Sequence, residues 1–173
     1  MKDITIERIT EGLKGAGLSC MATEAGVVVA LTSRKEYENP LLVRHLEERQ
    51  VISIVVPNLH SVPEALRPEA AELVTRINFQ TLIGNFELDH ADGEVRFSHA
   101  IPVREAGVKV SQIMQVIGCA AWSVDRYLGA FRRLGAGLSA RELLDAADRP
   151  GSEVSLDDLR RALEDEDHES HAA

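Results

Sequence analysis

Apolar positions along the chain switch period several times, and each switch marks an element. Ile6, Ile9 and Leu13 stand three and four residues apart, the spacing of one helix face over residues 3–16, with Asp3 as the cap and Gly15 and Gly17 as the stop. From Leu18 to Glu24 the pattern changes to alternation, with Leu18, Cys20 and Ala22 on one side. Ala25-Gly26 then turns the chain into the β-branched run Val27–Thr32, which predicts a second strand. A polar stretch closing on Pro40 separates this pair from two more predicted strands, Leu41–Glu47 and Val51–Val56, joined by a turn at Glu48–Gln50. Pro57, Pro63 and Pro68 punctuate the connection that follows. Pro68 suits the first turn of a helix running to about Gln80, with Ala70, Leu73, Val74 and Ile77 on its buried face against a sheet.

The clearest hairpin lies at residues 85–99. Phe86 and Leu88 alternate before His90-Ala91-Asp92-Gly93, and Val95 and Phe97 alternate after it. The simplest register pairs Leu88 with Val95 and Phe86 with Phe97, which sets Glu87 beside Arg96 on the other face. Beyond Pro102, Ser111 can cap a long helix reaching about Leu134. At ~100° per residue, Ile113, Val116, Ile117, Ala120, Val124, Tyr127, Leu128 and Phe131 share one arc, the face expected against the sheet. Trp122 falls nearly opposite, among Gly118, Asp125, Arg126 and Gly129. Glycine is a poor helix former, so Gly118 and Gly129 beside an indole imply that something packs closely there. Three covers are open: the C-terminal helix carrying Leu143 and Leu144, a second copy of the chain, or another protein. Ser139 with Glu142 and Ser155 with Asp158 have capping-box spacing and predict two short helices joined by a Pro-Gly linker. The second would carry the narrow stripe Leu156, Leu159 and Leu163, too short to persist without a surface to dock on. Residues 164–173 are acidic and without periodicity, and are expected to be disordered.

Composition narrows the class. The chain has 173 residues, 45% hydrophobic and 27% charged, enough for one domain with an appendage. Seven aromatic residues leave the core to aliphatic side chains and give no base-stacking platform. Residues 1–147 hold 16 basic and 19 acidic residues, net −3, whereas residues 148–173 hold 3 and 9, net −6. With no basic run longer than two, direct nucleic-acid binding is not expected. No apolar stretch is long enough to span a membrane, and the acidic N-terminus does not read as a signal peptide, so a cytoplasmic protein without membrane contact is expected. Cys20 and Cys119 read as small buried hydrophobes.

Candidate chemistry is sparse. The pentapeptide GAGLS occurs at Gly15–Ser19 and Gly135–Ser139, but neither copy lies between a strand and a helix as a dinucleotide fingerprint requires. Both read as helix stops. Asp89–Glu94 has a calcium-loop look, yet Ala91 stands where an oxygen ligand is needed and strands flank it. His90 and His99 lack the spacing that puts two imidazoles on one metal. No nucleophile elbow or Cys/His arrangement is present, so no catalytic, cofactor-binding or metal-binding residue is assigned.

Gly84-Asn85-Phe86-Glu87-Leu88-Asp89, followed by Asp92-Gly93-Glu94-Val95-Arg96-Phe97 and by Val124-Asp125-Arg126-Tyr127-Leu128 on the long helix, resembles the YbjN family of bacterial proteins over about residues 4–135. The resemblance implies a fold like that of type III secretion chaperones: α+β, one antiparallel sheet, elements in the order α-β-β-β-β-α-β-β-α. It also implies a role in sensory-transduction regulation, with no catalytic or cofactor residues to carry over. The expected organisation is therefore a YbjN-like domain at 1–135 and a C-terminal helical extension at 136–173. The expected function is a non-enzymatic, chaperone-like module binding a protein of unknown identity. The alternative is a small-ligand sensor or enzyme with an unrecognised pocket. Chaperones of that fold act as dimers, which favours a homodimer whose interface includes Trp122, Gly118, Arg126 and Gly129, with Leu143 and Leu144 as the competing intrachain cover.

Overall fold

In the computed structural model of the chain, which describes residues 5–24, 26–30, 40–103 and 107–148, the first helix is shorter than its periodicity implies. This helix, α1 (Ile6–Gly15), is capped by Thr5, whose hydroxyl accepts from the Arg8 N–H at 3.3 Å. Asp3, the expected cap, lies outside the described residues. Gly17, Gly135 and Gly137 all take left-handed backbone, so both GAGLS copies end helices as expected.

Strands β1 (Cys20–Thr23), β2 (Gly26–Ala30), β3 (Pro40–Leu46), β4 (Val51–Ser61), β5 (Asn85–Leu88) and β6 (Glu94–Pro102) form one antiparallel sheet in the order β1-β2-β3-β4-β6-β5. The α-β-β-β-β-α-β-β-α order and the α+β class stand as the sequence reading expected. The hairpin register does too: Phe86 faces Phe97, Leu88 faces Val95, and Glu87 faces Arg96. One strand is longer than expected, because β4 runs through Pro57 to Ser61. The pairing with β6 jumps from Val56/Phe97 to His60/Val95, so Pro57 sits in a bulge where no ladder N–H is needed. Asn58 takes a left-handed φ of 52° there, and its N–H donates to Glu94 Oε1 at 2.9 Å.

Three further α-helices lie among the described residues: α2 (Arg67–Gln80), α3 (Val110–Arg132) and α4 (Ala140–Ala147). Helix α1 lies over β1 and β2, and α3 over β4 and β6. Helix α2 meets the sheet at its edge strand β5 and packs against α4, so Val74, expected in the core, is only half-buried. Lys109 rather than Ser111 caps α3, its N–H donating to Gln112 Oε1 at 2.8 Å. All eight residues assigned to the sheet-facing arc of α3 are buried. The Ser139/Glu142 capping box of α4 closes as expected, with the Ser139 N–H on Glu142 Oε2 at 2.9 Å and the Glu142 N–H on Ser139 Oγ at 3.3 Å. The second short helix expected at Ser155–Leu163 and the acidic end lie outside the described residues.

The layers meet at Phe86. Its ring lies 5.5 Å from Phe97, 6.0 Å from Tyr127 and 5.4 Å from Phe131, joining β5 to β6 and to α3. Its backbone is clamped from α2, because Asn78 Nδ2 donates to the Phe86 carbonyl at 2.9 Å and Asn78 Oδ1 accepts from the Phe86 N–H at 2.8 Å. A side-chain amide thus takes the place of a neighbouring strand and occupies part of the β5 edge. Just before β5, Gly84 has φ +78°, and a Cβ there would overlap the Phe97 ring.

Gly84→Ala combines a left-handed backbone with overpacking and is expected to lower unfolding free energy by about 2–4 kcal/mol, measured by denaturant titration. The Glu87–Arg96 pair makes a pH-dependent contribution. Burial pushes the Glu87 carboxyl up, but hydrogen bonds from Ser98, Arg96 and Asn85, with the Arg96 charge, outweigh it and hold it below its ordinary value. A carboxyl lowered in the folded state stabilises above its unfolded pKa and loses that contribution as pH falls through the folded one. Glu87→Gln should therefore cost about 0.2–1 kcal/mol at pH 7, small because the pair is partly exposed and screened. The difference from wild type should fade as acid titrates the carboxyl.

Candidate functional site

Of the residues singled out on α3, Trp122 and Arg126 meet Tyr127 at a junction of three helices. The Arg126 guanidinium lies 5.0 Å above the Trp122 ring and 5.6 Å from that of Tyr127, within cation–π range of both. Trp122 stands edge-on to Tyr127 at 6.4 Å. From the end of α4, Asp148 Oδ1 accepts from Arg126 Nη2 at 2.7 Å and from Nε at 3.1 Å. From the end of α2, Gln80 Nε2 donates to Tyr127 Oη at 2.9 Å and lies 3.4 Å from Asp148 Oδ2. One guanidinium thus links the aromatic pair of α3 to the α4 terminus. Burial pushes the Tyr127 hydroxyl above its ordinary value.

Trp122 is half-buried, off the sheet-facing arc as expected. Leu143 is buried and Leu144 half-buried against the core. A Cβ at Gly118 or Gly129 would meet no atom within 4 Å, so among the described residues nothing packs tightly over either. The groove between α3 and α4, about 230 Å³, is open and lined by Asp125, Arg126, Leu128, Arg132, Leu143 and Ala146 among others.

Other candidate chemistry stays dispersed. Among the described residues no group of three or more His, Cys, Asp or Glu side chains could hold a metal ion. Both cysteines are free and half-buried. Burial pushes the Cys119 thiol up, away from the reactive thiolate, and the Cys20 thiol lies 3.7 Å from the Thr10 carbonyl. Burial holds the His99 imidazole below its ordinary value, and burial with the Arg132 charge does so for His60. No described helix is long and apolar enough to cross a membrane.

A surface that was not singled out in the sequence appears on the sheet. The strand register aligns Met21, Val28, Leu42 and Val55 side by side across β1, β2, β3 and β4. Their neighbours Val27, Val29, Leu41, Val43, Ile54 and Val56 point the other way into the fully buried core beneath the helices. The aligned row is therefore on the outer face, where Met21 is 63% exposed and the three others are half-buried. A signal for it existed: Val27-Val28-Val29, Leu41-Leu42-Val43 and Ile54-Val55-Val56 are continuous apolar runs, which belong to strands apolar on both faces. The same register continues the row to Ser98 and Asn85, ending it in polar groups.

The sequence model of the YbjN family, described as "Putative bacterial sensory transduction regulator", matches residues 5–133. The crystal structure of "YbjN, a putative transcription regulator from E. coli" superposes with a TM-score of 0.51 at 14% identity, covering 83% of this chain and 91% of that one. A chain of the HopA1–SchA chaperone–effector complex gives a TM-score of 0.45 at 10% identity, covering 74% of this chain and 94% of that one. No curated protein matches the chain.

The Arg126 junction is testable by itself. Arg126→Met keeps much of the apolar stem but leaves Asp148 without its cation, and is expected to cost about 1–3 kcal/mol in denaturant titration. Loss of the cation above the indole should also change Trp122 fluorescence.

Proposed function

The chain belongs to the YbjN family, and from that membership we propose that it is a non-enzymatic, chaperone-like regulatory module of the cytoplasm that binds another protein on the outer face of its sheet. The observation carrying this reading is the row Met21, Val28, Leu42 and Val55, with no described helix laid over it. Four aliphatic side chains aligned across four strands form a continuous apolar strip. A partner's extended or helical segment with apolar side chains at matching intervals would gain by covering it. The sequence net charge of −9 and the absence of a long basic run argue against a nucleic-acid ligand.

We also propose that two copies associate through the exposed side of α3. Trp122 supplies a half-buried aromatic anchor, and the open space over Gly118 and Gly129 leaves room for a second backbone to approach. Arg126, held between Trp122 and Asp148, would form the polar border of that contact.

The binding reading is tested by replacing Val28, Leu42 and Val55 together with threonine, which preserves β-branching at the valine positions and adds it at Leu42. The triple variant should keep its cooperative unfolding transition and lose the protein that co-purifies with the wild type from the native cell. Undiminished co-purification would remove the sheet face from consideration. For self-association, light scattering should give twice the 19.0 kDa chain mass for the wild type and the single-chain mass for Trp122→Ala. A monomeric wild type would end that proposal.

A further inference from the structure

Two large apolar side chains stand almost fully in water at the corner between α2 and β5: Phe79 is 95% exposed and Leu82 is 98% exposed. Single exposed hydrophobics are ordinary, but two this large and three residues apart at one corner form a place for something to sit. The neighbouring residue on α2 is Gln80, whose amide reaches Tyr127 and Asp148. Asp148 is also held by Arg126, and it is the last described residue before 25 more residues of chain. The C-terminal segment therefore follows a residue whose side chain meets that of Gln80, the neighbour of Phe79 in sequence.

We propose that the segment Ser155–Leu163 docks its leucine stripe on Phe79 and Leu82. The linker of residues 149–154 spans up to about 20 Å when extended, and it follows Asp148, whose side chain already meets that of Gln80, next to Phe79 in sequence. In the segment, Leu156, Leu159 and Leu163 recur at helical spacing, with Asp157, Asp158, Arg160 and Arg161 between them. An isolated helix of that length does not persist in water, so its apolar stripe needs a surface, and the corner offers two large exposed apolar side chains. Tethering decides the occupant. A short linker gives the segment an effective concentration of order millimolar at the corner, above that of a free second copy or a free partner. The corner is separate from the outer sheet face and from the α3 surface proposed for self-association, so its occupancy can be tested independently of both.

The experiment is cysteine cross-linking in the full chain with Cys20 and Cys119 replaced by alanine. Leu82→Cys paired with Leu159→Cys should form an intrachain disulfide under mild oxidation at a rate independent of protein concentration. It should form about tenfold faster than the pair Asp145→Cys with Leu159→Cys, where Asp145 is exposed on α4 and nearer along the tether. Equal rates for the two pairs would mean undirected collision and would overturn the proposal. Cross-links between chains, with rates rising with concentration, would assign the corner to a second copy and overturn it likewise. Amide exchange supplies a second readout. Residues 155–163 should be protected in the wild type and lose that protection when Phe79 and Leu82 are both changed to serine, a change at two exposed positions. Protection unaffected by that change, or no protection in the wild type, would also overturn the proposal.

Discussion

Everything distal to the middle of the sheet depends on how Phe86 is held. Edge strands are short of partners, and β5 has only four residues with which to pair. The Asn78 amide supplies a donor and an acceptor to the Phe86 backbone, while Phe97, Tyr127 and Phe131 close around the ring. The packing needs space that only glycine leaves at position 84. Because Asn78 is on α2 and Tyr127 on α3, the same residue sets the relative placement of the two helices. Gln80 then falls beside Tyr127, and the junction with Asp148 can form.

The second constraint is the asymmetry of the sheet. One face is buried under α1 and α3, with Val27, Val43, Ile52, Ile54 and Phe97 fully excluded from water. The opposite face bears Met21, Val28, Leu42 and Val55 without a described helix over it. An antiparallel sheet with a solvated face ordinarily alternates apolar with polar. On this sheet the alternation is replaced by half-buried aliphatic side chains at Val28, Leu42 and Val55. The Arg126 junction has a different character. Its cation sits between an aromatic pair and a carboxylate, so it orders the end of α4 and also holds one side of the indole.

Local pattern alone determined the element order, the hairpin register and the buried arc of α3, because each depends on periodicity and turn chemistry within a short stretch of chain. Phe86 opposite Phe97, Glu87 opposite Arg96, and the Ser139/Glu142 capping box belong here, as does the family, legible in the Gly84–Phe97 hairpin and in Val124–Leu128. The path of β4 past Pro57 did not, since a proline reads as a break until a bulge removes the need for its N–H and Glu94 satisfies Asn58 from another strand. Nor did the clamp of Asn78 on Phe86, the union of Gln80, Arg126, Tyr127 and Asp148, or the apolar row across four strands. These join residues far apart in sequence, and their geometry exists only after the strands have been ordered and the helices laid on one face. Trp122 shows the division within a single residue. Helical phase placed it away from the sheet, but only the packed structure set Arg126 against its ring.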